Sequence, residues 1–93
     1  MSLRVGPYLF TQITYYADDD VLYAHVDHRR GGEHVGHPDD PMHPFFAVDG
    51  EVIQLDLISP RAELDRRGRV TVTLPDGTSA DVQGIEEALK QPA

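Results

Sequence analysis

All five histidines of the chain, His25, His28, His34, His37 and His43, fall in one stretch, HVDHRRGGEHVGHPDDPMH, residues 25 to 43. Imidazoles at such density suggest first a transition metal such as Zn or Ni, which wants three or four nitrogen or carboxylate ligands converging on one point. His25-x-x-His28 and His34-x-x-His37 supply pairs, with Glu33, Asp39, Asp40 and His43 close by. Residues three apart on a continuing strand point to opposite faces, so His25 and His28 could share an ion only if the strand ends between them. Arg29 and Arg30 would repel a bound cation, and the absence of cysteine disfavours a closed structural site. The preferred reading is a polar loop that needs no cofactor and whose histidines are solvated or hydrogen-bonded. A divalent-metal-binding protein using the loop is the alternative.

Other chemistry finds less support. Asp18, Asp19 and Asp20 lack the alternating ligands, glycine and terminal glutamate of a calcium loop, and read as an acidic hairpin turn. Ser59 and Ser79 have no nucleophile-elbow context, and a thin domain leaves little room for a deep cleft. A small enzyme is therefore the third reading, and the expectation is that the protein is not an enzyme.

The elements that must position these residues belong to one domain. Ninety-three residues bury somewhat over ~60% of the unfolded surface, so the core is thin. No apolar run approaches the ~20 residues of a membrane helix, and MSLRVGPYLF has no apolar signal region, so a cytoplasmic protein is expected. Sixteen acidic residues against eight basic ones give a net charge of −8, which disfavours a nucleic-acid backbone as ligand. The basic stretch RAELDRRGR, residues 61 to 69, is too small to reverse that.

YLFTQITYY (8 to 16) and VLYAHV (21 to 26) read as a hairpin turned by ADDD. A long histidine-rich loop follows over about 27 to 43, its glycines and prolines denying it a long helix or central strand. FFAVDGEVIQLDLI (45 to 58) is a second hairpin, with Asp49-Gly50 in a type I′ turn that sets Val48 opposite Glu51 and Phe46 opposite Ile53. Ser59 and Pro60 can start a short helical turn. RVTVTL and TSADVQ flank the turn Pro75-Asp76-Gly77, and a short helix closes the chain at about 84 to 91. The expected fold is mainly β: a small antiparallel sheet of about six strands built from hairpins, with a short C-terminal helix.

Two stretches carry a family resemblance. ITYYADDDVLYAHV, through Ile13, Tyr15, Asp20, Leu22 and Tyr23, resembles the opening of small bacterial proteins grouped as domain of unknown function 2283. VDGEVIQLDLISP is similar to that family's second half, and the likeness covers roughly residues 12 to 64. It implies a small antiparallel sheet and, for members that resemble antitoxins, a protein partner; it transfers no catalytic residue. The long histidine insert and the added C-terminal hairpin depart from the pattern. Tyr8, Phe10, Tyr16 and Tyr23 lie at strand periods where one face can carry rings outward, and they are the candidate partner-binding residues. The expected function is a small acidic binding or regulatory module for a protein partner, a basic one suiting the −8 charge. Its edge strands suggest a homodimer. Neither nucleic acid nor membrane is an expected partner.

Overall fold

A computed structural model describes residues 1 to 91. The chain is mainly β, but its strands form two antiparallel sheets where one of about six strands was expected. The first sheet joins β1 (Leu3–Val5), β2 (Tyr8–Phe10), β8 (Thr71–Thr73) and β9 (Ser79–Gln83) in the order β2-β1-β9-β8. The second joins β3 (Gln12–Tyr16), β4 (Val21–His25), β5 (Glu33–His34), β6 (Phe45–Val48) and β7 (Glu51–Ile58) in the order β3-β4-β7-β6-β5. Helix α1 (Pro60–Arg67) follows β7, and α2 (Ile85–Leu89) lies in the expected C-terminal segment. No helix among the described residues is long and apolar enough to cross a membrane.

The division into two sheets starts at Gly6-Pro7. Gly6, at φ 57°, takes the first central place of a two-residue turn, the position type II′ geometry assigns to glycine, and folds Leu3–Val5 onto Tyr8–Phe10. The expected long strand 8 to 16 then breaks at Thr11. Its N–H and hydroxyl reach the carbonyls of His25 and Val26, at 3.1 and 3.2 Å, where the chain passes from one sheet to the other. Leu3, Val5, Phe10, Leu22, Phe45 and Leu57, all with no exposed surface, belong to one apolar cluster drawn from both sheets.

The Asp49-Gly50 hairpin forms as its dipeptide requires, with φ of 51° and 82° and Val48 opposite Glu51. Phe46, however, faces Gln54 and not Ile53, because the register shifts between Phe46 and Ala47. One more residue of β7 than of β6 is used there, a β-bulge. Phe45 consequently goes to the core, while Phe46 stays half-buried. A Cβ at Gly50 would meet nothing within 4 Å, so Gly50→Val tests backbone strain alone. It should cost about 1 to 2 kcal/mol, seen as a lower urea midpoint. The second Asp-Gly turn differs: only Gly77 has positive φ, and Asp76 accepts from the N–H and hydroxyl of Thr78.

Helix α1 is capped from a distance. Ser59, the expected N-cap, sits at φ 59° and makes no side-chain cap bond. Instead the Asp20 carboxylate accepts the N–H groups of Arg61 and Ala62, at 3.0 and 3.1 Å, and the Tyr15 hydroxyl at 2.8 Å. The acidic turn thereby anchors the helix that carries Glu63.

Candidate functional site

The histidine loop is tied to the sheet at its C-terminal end, where Asp56 and Ile58 donate N–H groups to the carbonyls of Pro44 and Met42, both at 3.0 Å. Just before, Asp40 and His43 turn inward. His43 Nδ1 lies 2.7 and 2.9 Å from the two Asp40 oxygens, and its Nε2 lies 3.0 Å from Glu63 Oε1. With both nitrogens against carboxylates, the ring can donate twice only as imidazolium.

The same two carboxylates also close a strand edge. Val70 and Leu74 bond across to the β9 side through Val82 and Thr78, which leaves the N–H groups of Thr71 and Thr73 facing the opposite way. Glu63 accepts the first at 3.0 Å and Asp40 the second at 2.8 Å. A bare β8 edge would be open to another strand, and here carboxylate side chains occupy it. A cleft of about 430 Å³ lies over this cluster, with Arg66 and Arg67 among its walls. The carboxylates meet opposite edges of the ring, and their oxygens are taken up inside the fold. No base is left free and no single point faces all three groups, so the arrangement suits holding loop, helix and strand together.

The other histidines lie apart from this cluster in role. His25 is buried on β4, His28 is exposed, His34 meets Phe46 edge-on with centroids 5.6 Å apart, and His37 Nδ1 accepts the Asp39 N–H at 3.2 Å. Among the described residues no group of three or more His, Asp or Glu side chains could hold a metal ion. Arg29 is engaged by Asp27, at 2.8 Å, and by Glu51. That pairing holds the Asp27 carboxyl down at about 2.

The proposed aromatic residues separate into two pairs. Phe10 has no exposed surface, and Tyr8 is half-buried with its ring 5.7 Å from that of Phe45, so these two fill the interior. Thr11 is the reason, since it sends residues 8 to 10 to the other sheet. Tyr16 and Tyr23 are 47% and 37% exposed, with ring centroids 5.9 Å apart in an edge-on arrangement.

Strand register places neighbours around that pair. Across β3, β4 and β7 run the rows Tyr16, Val21, Ile58; Thr14, Tyr23, Asp56; and Gln12, His25, Gln54. All occupy the face opposite the core residues Tyr15, Leu22, Ala24, Leu55 and Leu57, by the alternation of strands. Met42, 44% exposed, lies beside Ile58, whose N–H its carbonyl accepts.

Asp56 is partly buried in this face, and burial raises its carboxyl above the ordinary 3.8. It accepts the Gln54 amide N–H at 2.7 Å, and none of the ion pairs among the described residues includes it. His25, in the adjoining row, is pushed below its ordinary 6.5 by burial and then by Arg30, so at neutral pH it offers no positive charge. Its buried Nδ1 has no hydrogen-bond partner.

The raised carboxyl means that the fold favours protonated Asp56: its contribution is full below pH 3.8 and is lost as pH rises through the shifted value. At pH 7 the ionised side chain therefore weakens the fold. Asp56→Asn should raise the urea midpoint at pH 7, and the gain over wild type should vanish below pH 3.8.

Asp56 and Glu63 escaped sequence reasoning as parts of one site or another, whereas Asp40 was noted only as a carboxylate near the histidine pairs. The alternation in QLDL already put Asp56 on the polar side of its strand, but only the pairing of β4 with β7 sets it beside Tyr23. Comparison of the chain with protein-family models, curated proteins and solved structures finds no match.

Proposed function

We propose that this chain is a cytoplasmic protein-binding module that engages a basic protein through the outer face of the five-stranded sheet. The observation that carries the reading is the exposed Tyr16–Tyr23 pair, with Val21 and Ile58 in the row of Tyr16, on an acidic molecule of net charge −8. Paired tyrosines offer large contact area with little side-chain entropy to lose, and opposite net charges speed encounter. The module acts by binding rather than catalysis and needs no cofactor. The resemblance of residues 12 to 64 to domain of unknown function 2283 agrees with this reading, and a basic, toxin-like protein is the kind of partner it implies.

A photo-crosslinking amino acid at position 16 tests the face, with the same group at Glu87 on α2 as control. The expected result is a conjugate from position 16 with a protein of net positive charge, weakened by high salt and lost in Tyr23→Glu. That substitution sets a second carboxylate opposite Asp56 and is expected to lower the urea midpoint, so the conjugates are compared at a temperature where both proteins are folded. Equal conjugates from both positions, no conjugate, or only a conjugate of two copies of this chain would overturn the reading.

A further inference from the structure

We propose that Asp56 is the anchor of this face and receives an arginine side chain of the partner, its guanidinium paired with the carboxylate and its plane against the Tyr23 ring. The inference rests on the binding face proposed above and names what that face grips.

The argument compares the chain's own carboxylates. Five are buried or partly buried among the described residues: Asp20, Asp27, Asp40, Asp56 and Glu63. Asp27 holds Arg29, Asp40 and Glu63 hold His43, and Asp20 holds the first N–H groups of α1. Asp56 alone among them meets no guanidinium, imidazole or helix terminus, only the neutral Gln54 amide. A carboxylate withdrawn from water without a counter-charge is unfavourable, and an incoming cation relieves that. The adjoining row leaves a second polar atom unmet, the His25 Nδ1.

The surroundings select among cations. Tyr23 is the register neighbour of Asp56, and Tyr16 stands edge-on to Tyr23, so the carboxylate borders an exposed aromatic surface. A guanidinium can pair with the carboxylate and stack on the ring at once, and it gives up water more readily than an ammonium. A free metal ion would find only one charged ligand there, so arginine on a protein is the occupant that matches both halves of the site. Asp18 and Asp19, exposed in their turn, remain solvated and gain little from pairing.

The probe is the peptide acetyl-Gly-Arg-Gly-amide, with lysine and citrulline counterparts, titrated into isotope-labelled full-length protein and followed by NMR. The arginine peptide should shift signals of Tyr23, Gln54 and Asp56 and move the titration of the Asp56 carboxyl to lower pH. The lysine peptide should bind more weakly and the citrulline peptide not at all. Asp56→Asn, which should remain folded, should weaken the arginine peptide by at least roughly tenfold. Equal response to citrulline, shifts centred on Asp18 and Asp19, or an unchanged response in Asp56→Asn would overturn the anchor. If position 16 still cross-links to a basic protein while the arginine peptide is ignored, the anchor fails and the binding face stands.

Discussion

Replacing His43 with alanine is expected to destabilise the protein by about 2 to 5 kcal/mol, because a buried ring is removed and two buried carboxylates each lose a hydrogen-bond partner. The substitution leaves Asp40 and Glu63, whose side chains are 14% and 9% exposed, without the ring between them. Both carboxylates would keep the β8 N–H groups of Thr71 and Thr73, but their charges would lie in a poorly hydrated space without a cation closer than Arg67, 3.6 Å from Glu63. Small domains have only about 5 to 15 kcal/mol in total. Urea unfolding followed by circular dichroism measures the loss. The triple variant Asp40→Asn/His43→Ala/Glu63→Gln should recover part of it, because the amide oxygens can still accept the strand N–H groups without carrying charge. If the triple variant is no better than His43→Ala alone, the damage is a packing void and not unpaired charge.

Asp20→Ala should cost about 2 kcal/mol, the upper range for loss of a helix cap. One carboxylate there serves Arg61, Ala62 and Tyr15, and the residue itself sits at φ 52°, a conformation asparagine and aspartate tolerate better than alanine. Asp20→Asn should retain most of the stability, since its amide oxygen can still accept from the helix. A lower urea midpoint for alanine and a nearly unchanged one for asparagine are the expected pair of results. The effect reaches the His43 cluster, because the capped helix carries Glu63.

Local chemistry was legible in the sequence where a dipeptide decides it. Asp49-Gly50 turned where positive φ was required, and the C-terminal helix fell in the expected segment. Helix α1 ran further than one turn, to Arg67, and stopped at Gly68, which takes φ 76° at its C-cap. The two-sheet division was harder to read, since Leu3–Val5 is a very short strand and the break at Thr11 carries neither glycine nor proline. The bulge at Ile53, opposite the step from Phe46 to Ala47, has no local marker either, because an extra residue in a strand is accommodated by what packs on its two faces. Long-range pairing hid the rest. Glu63 meets His43 across 20 residues of sequence, and Asp56 meets Tyr23 only because β4 lies beside β7. The density of histidines drew attention to metal chemistry, while the packing gave just one of them, His43, two carboxylates.

If Asp56 serves binding at the expense of stability, one substitution should move the two properties in opposite directions, a known trade-off at functional sites. The most direct measurement is the yield of the position-16 cross-link to its basic partner in Asp56→Asn, determined at a temperature where both proteins are folded. The account predicts that the conjugate is lost from a variant whose urea midpoint at pH 7 has risen. A conjugate formed undiminished by Asp56→Asn would contradict it.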